Sequence, residues 1–354
     1  MSENKTKVGV IGLSMGQNHV VAYKNIADAE MLAVCDWDEP WLKHMQTLHT
    51  VPRTYLKYED LLADKDIEAV SVCLPTSLHA PATIAALKAG KHVLCEKPMS
   101  TTARDAQAMA AAAKETGKVL MISHNQRFTP QAQYIKRLVE QGRFGKIYFV
   151  RAGWRRPMGC LPSANSQRAT GTLNRNWFNE RAKGGGVLFD LGSHMLDLSM
   201  WFMGFPKIEK IAGMNYSTFL PAFSAAHKQS GDAEDLAAAM LFFQGGASLQ
   251  LEVSFGSFVE QETVFVELYG SEGGVSLRNG VLKLIGEDQG AYTTTTVGKF
   301  NLPVQSPQEN FVQAVRTGKG PLVTAEHGVA VTTVLEGIRE CGIVPGDPKG
   351  KVYS

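Results

Sequence analysis

Short apolar runs alternate with helical segments over the first 123 residues, and this alternation constrains the fold more than any other feature of the chain. Each run is too short for a helix and suits a buried strand. Strands separated by helices predict a parallel, doubly wound α/β sheet, because parallel neighbours need crossover connections. The predicted strands are residues 8–11, 31–35, 69–74, 93–95 and 119–122.

A glycine-containing turn follows the first predicted strand and opens the first helix. It carries Gly12, Ser14, Met15 and Gly16, so it departs from GxGxxG at the second and third glycines. Glycine lets the backbone approach a pyrophosphate, and the start of the helix supplies N–H groups and a positive dipole end. Strand, glycine turn and helix in this order predict a Rossmann dinucleotide-binding domain over residues 1–123.

Asp36 ends the second predicted strand, 24 positions after Gly12. An acid at about this distance accepts hydrogen bonds from the adenosine ribose and repels a 2′-phosphate, so it favours NAD over NADP. Trp37 follows directly, and its ring could pack on the adenine. Asp36 could instead be a turn residue before Pro40. Because the glycine turn precedes it, we predict a cofactor role.

An acid, an amine and a proline, Glu96-Lys97-Pro98, follow the strand predicted at residues 93–95. Proline cannot donate to a sheet ladder, so the strand is expected to end there. Glu96 and Lys97 are thereby placed at the carboxyl end of a strand, where open α/β sheets bind ligands. A surface salt bridge is the simpler alternative. We predict a functional pair because it follows a strand of the predicted NAD domain.

Composition and charge argue against several classes of protein. Apolar residues make up 44% of the chain, charged residues 20%, and the net charge is +2, so nucleic acid is not an expected partner. There is no signal-peptide pattern and no apolar run of about 18 residues, so we expect a cytoplasmic protein without a membrane partner. The odd, scattered set of cysteines suits reduced thiols; they are Cys35, Cys73, Cys95, Cys160 and Cys341.

Residues 124–354 have the pattern of a second, α+β domain. Strand-like stretches separated by glycine turns predict a mostly antiparallel open sheet with helices on one face. The predicted strands are residues 147–154, 208–219, 236–243, 247–255, 263–269, 275–278 and 281–285, and the predicted helices are 131–141, 308–317 and 325–341.

Residues 155–176 form a long stretch without periodicity, which is typical of a functional lid or of a mobile loop. It contains four arginines: Arg155, Arg156, Arg168 and Arg175. They are either a solvated loop surface or polar contacts to hydroxyl or anionic groups of a substrate.

Asp190 and His194 are four positions apart in a predicted helix. That spacing puts an acid and a base on one helical face, from which both could point into a cleft. They could also be a structural pair or two metal ligands. A metal site would need a third ligand nearby, and none is obvious, so we predict no metal.

Four segments together resemble the glucose-fructose oxidoreductase, inositol dehydrogenase and rhizopine catabolism family, Gfo/Idh/MocA. The resemblance covers nearly the whole chain, and the lysine and Asp/His motifs are specific when they occur together. The segments are Leu74-Pro75-Thr76 with His79; Ala89-Gly90-Lys91-His92-Val93 with Glu96-Lys97-Pro98; Arg127-Phe128-Thr129-Pro130; and Gly184-Gly185-Gly186 with Asp190, Gly192, His194 and Asp197.

The resemblance implies hydride transfer between NAD and a secondary ring hydroxyl of a sugar, sugar derivative or cyclitol, in a homodimer or homotetramer assembled through the second sheet. The implied catalytic residues are Lys97, Asp190 and His194. The expected cofactor residues are Gly12, Ser14, Met15, Gly16, Asp36, Trp37, Leu74, Pro75, Thr76, His79, Glu96, Lys97 and Asn125. The expected substrate residues are Lys97, Arg127, Arg155, Asn176, Trp177, Asp190 and His194.

Two other functions stay open on the sequence. Some relatives cleave glycosides by transient oxidation, elimination and re-reduction, so that the cofactor is recycled. A nicotinamide-binding regulatory protein is the third class. The presence of Lys97, Asp190 and His194 together argues against a regulator, which would not need all three.

Overall fold

The computed structural model describes residues 5–161, 165–168, 171–174, 176–227 and 230–345. Within this part of the chain, two compact units are formed. The first comprises the residues before 125 together with Asn165–Asn174 and Gln305–Thr332, and the second takes the remaining described residues. The sequence had predicted a single boundary after residue 123.

The first unit contains a six-stranded parallel sheet in the order β3-β2-β1-β4-β5-β6, which confirms the predicted doubly wound sheet. Its strands are β1 (Thr6–Ile11), β2 (Ala29–Cys35), β3 (Arg53–Tyr55), β4 (Ala69–Val72), β5 (His92–Cys95) and β6 (Leu120–Ile122). The helices between them are α1 (Gly16–Lys24), α2 (Glu39–His49), α3 (Tyr58–Ala63), α4 (His79–Lys88) and α5 (Ala103–Thr116).

The central strands of this sheet are buried on both faces. All four residues of β4 and the last three residues of β5 are buried, which is why they read as continuous apolar runs. A later helix, α9 (Pro307–Thr317), contacts α1, β1 and β5. Its burial against this sheet explains why a segment from the end of the chain belongs to the first unit.

The second unit contains a nine-stranded sheet in the order β16-β15-β14-β13-β7-β12-β11-β10-β17. Only β7–β12 and β10–β17 pair in parallel, so the predicted mostly antiparallel sheet is confirmed. The strands are β7 (Ile147–Pro157), β10 (Ile208–Ser217), β11 (Leu236–Phe243), β12 (Ser248–Ser257), β13 (Thr263–Gly270), β14 (Gly274–Arg278), β15 (Val281–Asp288), β16 (Ala291–Val297) and β17 (Ile343–Pro345). The helices are α6 (Pro130–Glu140), α7 (Ser193–Phe202) and α8 (Leu220–Ala226). A further helix, α10 (Ala325–Glu340), is divided between the units, with residues up to Thr332 in the first and the rest in the second.

Two strands lie in the stretch that the sequence predicted as irregular. β8 (Asn165–Arg168) and β9 (Gly171–Asn174) pair as an antiparallel hairpin. Arg175 lies outside the described residues, and the structure describes no side chain between 162 and 176, so Arg168 and Asn176 are described only in their backbone.

The two faces of the nine-stranded sheet differ in their cover. Val150, Ala152 and Leu251 are buried on the face that packs against α7. On the opposite face, Met214 and Phe242 are 38% and 40% exposed. Since strand side chains alternate between faces, the described part of the chain leaves one face of this sheet uncovered by helices.

Candidate functional site

The turn after β1 has the geometry of a nucleotide-binding turn. Gly12 has φ +86°, and a Cβ atom there would lie 2.6 Å from the Cys73 carbonyl oxygen, so only glycine fits. Met15 precedes α1 and provides no side-chain cap, which leaves the first N–H groups of the helix open to an anion. Ser14 and Met15 are at least partly exposed beside them.

Asp36 joins the end of β2 to this turn. Its carboxylate accepts the Leu13 N–H at 2.8 Å through Oδ2 and the Asp38 N–H at 3.0 Å through Oδ1. Each oxygen keeps a second lone pair with which it can accept a ribose hydroxyl. Trp37 is 83% exposed, so its ring is available to an adenine. The turn and this acid together fit the adenosine half of NAD.

The loop after β4 packs against the same turn. The Leu74 side chain would lie 3.1 Å from a Cβ at Gly12, and Thr76 begins a 3₁₀ turn that runs to Leu78. His79 is buried, and its ring nitrogens lie 2.7 Å from the Leu74 carbonyl oxygen and 2.8 Å from that of Pro98. Burial lowers the pKa of His79, against the opposing effect of these two carbonyls. The imidazole therefore ties the two loops together.

Glu96 and Lys97 lie directly after β5, as predicted from the proline, and the Lys97–Pro98 peptide is cis. The Glu96 carboxylate is 3.0 Å from His19 Nε2 and accepts the Lys97 backbone N–H at 3.2 Å. Burial alone would raise the pKa of Glu96. His19, through its hydrogen bond and through its charge when it is protonated, outweighs burial together with Ser123 and the charge of Lys97, and the pKa is lowered to about 2. Glu96 is thus a carboxylate at neutral pH.

A π-helical segment, Leu188–Gly192, carries Asp190 and leads directly into α7, which carries His194. The sequence had predicted one regular helix here. A π turn adds a residue to the helical repeat, and such turns are frequent at functional sites. His194 is 8% exposed, and its ring lies 5.9 Å from the Trp154 ring. Asp190 is half-buried.

A buried carboxylate holds the start of this segment. Glu234 accepts the Val187 N–H at 3.0 Å through its carbonyl oxygen and the Leu188 N–H at 3.3 Å through Oε1. Gly186 has φ +101°, and a Cβ there would collide with the Glu234 carboxylate. The glycine run Gly184-Gly185-Gly186 therefore lets the backbone approach Glu234 closely.

Arg127 occupies a structural position. It is fully buried and donates to both carboxylate oxygens of Asp197, at 2.8 Å from Nε and 2.6 Å from Nη2. Its guanidinium also lies 5.4 Å from the centre of the Trp201 ring. Breaking such a buried pair costs roughly 3–5 kcal/mol. Arg127 was predicted among the substrate residues, but this burial and pairing lead us to assign it to holding α7.

Arg155 is on the other face of the sheet from His194. Trp154 contacts His194, so its neighbour Arg155 points to the opposite face, where its Nε lies 3.5 Å from Glu252 Oε1 and its guanidinium lies over Phe265. This position favours a structural role for Arg155, which had been expected to contact the substrate.

The other predicted site residues are placed as follows. Trp177 stacks on Phe178 with ring centres 3.8 Å apart, and Phe178 accepts the Gly186 N–H, which puts this pair beside the glycine run. Asn125 is exposed at the start of a 3₁₀ turn. Asn176 begins another such turn.

No group of three or more His, Cys, Asp or Glu side chains in the described part of the chain is arranged to hold a metal ion. No helix in it is long and apolar enough to cross a membrane.

Comparison with known proteins identifies the two halves of the chain. Residues 6–124 match the NAD-binding Rossmann fold of the Gfo/Idh/MocA oxidoreductase family, and residues 136–341 match the C-terminal alpha/beta domain of that family. A D-glucoside 3-dehydrogenase from Escherichia coli is 30% identical over 290 residues, which are 78% of each protein. A myo-inositol 2-dehydrogenase from Thermotoga maritima is 28% identical over 331 residues, covering 91% of this chain and 92% of the relative.

Solved structures agree with this fold. A levoglucosan dehydrogenase in complex with NADH superposes with a TM-score of 0.83 at 22% identity, over 96% of this chain and 97% of that one. Because the family matches cover most of the sequence and the glycine turn and Asp36 fit NAD, this chain belongs to the Gfo/Idh/MocA family of oxidoreductases and has an NAD-binding Rossmann domain.

Proposed function

We propose that the protein transfers a hydride between NAD and a secondary ring hydroxyl of a sugar, a sugar derivative or a cyclitol. The observation that carries this proposal is the ionised Glu96 next to Lys97 at the end of β5, in an NAD-binding unit. The two relatives named above support the substrate class, since one is named for a glucoside and the other for myo-inositol.

Bound NAD supplies the hydride acceptor, and the side chains of this chain handle the proton and the substrate. We assign His194 as the base that takes the hydroxyl proton at an imidazole nitrogen, because histidine can gain and lose protons near neutral pH. We assign to the Lys97 ammonium the stabilisation of negative charge that develops on the substrate. Asp190 accepts hydrogen bonds from neighbouring hydroxyls, and Trp177, with Asn176 beside it, lines the substrate site.

A substrate panel tests this function. Sugars, inositols, sugar acids and glycosides are incubated with NAD and, in parallel, with NADP, and NADH or NADPH formation is followed by absorbance. We expect turnover of at least one cyclic polyol and a preference for NAD of ~10-fold or more, because Asp36 repels a 2′-phosphate. Cleavage of a glycoside without net NADH would instead support the cofactor-recycling alternative, and no turnover of any member would contradict both.

The uncovered face of the nine-stranded sheet supports a homo-oligomer. Met214, Ala238 and Phe242 share this face and are exposed, and large exposed apolar patches mark interaction sites. We propose that a second copy covers it, in a homodimer or homotetramer. Sedimentation velocity of the purified chain is expected to show a dimer or tetramer, and a monomer at micromolar concentration would contradict this assembly.

We further propose a cytoplasmic location. All five cysteines are free, and Cys35, Cys73 and Cys95 are buried. Burial raises the pKa values of Cys35 and Cys95 to about 12, which leaves these groups as thiols. Unpaired thiols are typical of proteins in a reducing compartment.

A further inference from the structure

A chain of buried polar side chains runs from α1 to the Glu96–Lys97 turn. Tyr23 Oη lies 2.8 Å from Ser71 Oγ, which lies 3.0 Å from His19 Nδ1. His19 Nε2 in turn lies 3.0 Å from Glu96 Oε1. Tyr23 and Ser71 have no exposed surface, and His19 is 3% exposed. The links connect α1, β4 and the end of β5, so tertiary packing and not local sequence creates the chain.

The donor and the acceptor of each hydrogen bond in this series can be assigned by starting from its two ends. At one end the Glu96 carboxylate is an acceptor. At the other, burial raises the pKa of Tyr23, so the phenol keeps its proton. Its one hydrogen bond in the described part of the structure is to Ser71, and it therefore donates to Ser71 Oγ.

The Ser71 hydroxyl then donates to His19 Nδ1, and the imidazole carries its proton on Nε2, where it donates to Glu96. A doubly protonated imidazole would put a second donor on Ser71. Either the Ser71 or the Tyr23 hydroxyl proton would then have no acceptor among the described residues, because only one of them can donate to the other, and an unsatisfied buried donor is costly. The arrangement with a neutral imidazole satisfies every group once.

This series of hydrogen bonds ends at the backbone N–H of Lys97, the lysine that we assign to the substrate. Glu96 Oε1 takes the His19 hydrogen bond, and Glu96 Oε2 accepts the Lys97 N–H at 3.2 Å. Both carboxylate oxygens are thus fixed, one by α1 and one by the Lys97 peptide. The helix that supplies His19 is also the helix that begins at the glycine turn.

We propose that His19 is a positioning residue for catalysis: held in its Nε2–H form by Tyr23 and Ser71, it keeps Glu96 ionised and oriented, and so fixes the Lys97 backbone and supplies a counter-charge for the Lys97 ammonium. This inference rests on the role proposed for Lys97. The other end of this series of hydrogen bonds is the buried phenol of Tyr23, so the series delivers no proton to solvent. Its effect is to fix the orientation and the negative charge of Glu96.

Removal of the His19 hydrogen bond is expected to make the reaction sensitive to acid. Burial raises the pKa of Glu96, and His19 is the first of the groups that oppose it. Without His19, the carboxylate gains a proton as the pH falls, and the counter-charge of Lys97 is lost at acid pH. The ionisable and polar groups that act on Glu96 from the surrounding elements are His19, Tyr23, Cys73, His79, Cys95, Lys97 and Ser123.

Two variants of His19 separate positioning from packing. In His19→Gln the amide N–H₂ can reach the place of Nε2 and donate to Glu96. In His19→Asn the shorter amide can replace Nδ1 but does not reach Glu96. Val21→Ala, at a position 46% exposed on the same helix, controls for disturbance of α1. The measurements are kcat and KM from about pH 5 to pH 9 and NADH affinity by fluorescence titration.

We expect kcat to fall much more in His19→Asn than in His19→Gln. His19→Asn loses ~10-fold to 100-fold in kcat at neutral pH, the range for one hydrogen bond to a charged group. Its kcat relative to the unmodified enzyme falls further as the pH decreases, whereas His19→Gln keeps kcat within about 5-fold and keeps the original pH profile. NADH affinity changes little in either. Equal profiles for both variants, or a loss of NADH affinity that matches the loss of kcat, would overturn the proposal.

A second measurement does not depend on turnover. Nitrogen-15 NMR of histidine-labelled protein with NADH reports which imidazole nitrogen carries the proton. We expect the Nε2–H form for His19, as the hydrogen bonds to Ser71 and Glu96 require, and conversion to another form in Ser71→Ala. An imidazolium or an Nδ1–H form in the unmodified protein would refute the inference. If the substrate panel shows no turnover, the proposed function fails while this measurement still decides the state of His19.

Discussion

Lys97→Met is expected to lower kcat by ~10²–10⁴-fold, the range for losing a positioned group that stabilises charge or moves a proton in the transition state. Methionine keeps most of the length of the side chain and removes the ammonium. NADH affinity is expected to change little, because the glycine turn and Asp36 hold the other end of the dinucleotide. Steady-state kinetics at saturating NAD, with a fluorescence titration of NADH, measure both quantities.

The matched control for this variant is Lys114→Met. Lys114 is exposed near the end of α5 in the same unit, so this change removes one ammonium far from the strand ends. It should leave kcat unchanged. If Lys97→Met turns over at the normal rate while its melting temperature is preserved, Lys97 does no chemistry, and the proposed roles of Glu96 and His19 fall with it.

Burial on both faces explains which strands the sequence could predict. β1, β4 and β5 are central strands, and their residues form continuous apolar runs that stand out from their surroundings. β16 has six exposed residues and a run of threonines, so no apolar pattern marks it and it was not predicted. β3 is three residues long and half-buried, which is too short for a periodicity.

Local chemistry explains which parts of the site could be predicted. A proline that stops a strand placed Glu96 and Lys97 correctly at the end of β5. The π turn at Leu188–Gly192 was missed, because its residues are compatible with an ordinary helix. Such sequence rules predict structure over a few neighbouring positions, but they do not predict contacts between residues that are far apart in the sequence.

Two side-chain pairs between residues far apart in the sequence could not be predicted for that reason. His19 and Glu96 are 77 positions apart, and Arg127 and Asp197 are 70 positions apart. Because its partner is so far away in sequence, His19 was not predicted as a site residue. The spacing of His19 and Tyr23, four positions apart on one helix face, was only a weak indication. The second pair reassigned an arginine from substrate binding to the core. A charged residue near a strand end thus has no defined role until its partner is known.

His194→Ala is expected to lower kcat by ~10²–10⁴-fold, because it removes the base that we assign to the substrate hydroxyl. The loss should be larger in kcat than in KM, since proton removal belongs to the transition state. Added imidazole is expected to restore part of the rate, because a free base can enter the space left beside Trp154, whose ring lies 5.9 Å from that of His194 in the intact protein.

Rescue by imidazole separates a base from a binding group. His227→Ala is the control, since His227 is exposed at the end of α8, where its Nδ1 lies 2.7 Å from the Phe223 carbonyl oxygen. Imidazole should not alter its rate. A His194→Ala enzyme that loses only substrate affinity, or that imidazole does not rescue at any pH, would show that His194 binds the substrate without taking its proton. The half-buried Asp190, one helical turn away on the π segment, would then be the remaining base among the predicted catalytic residues of this unit.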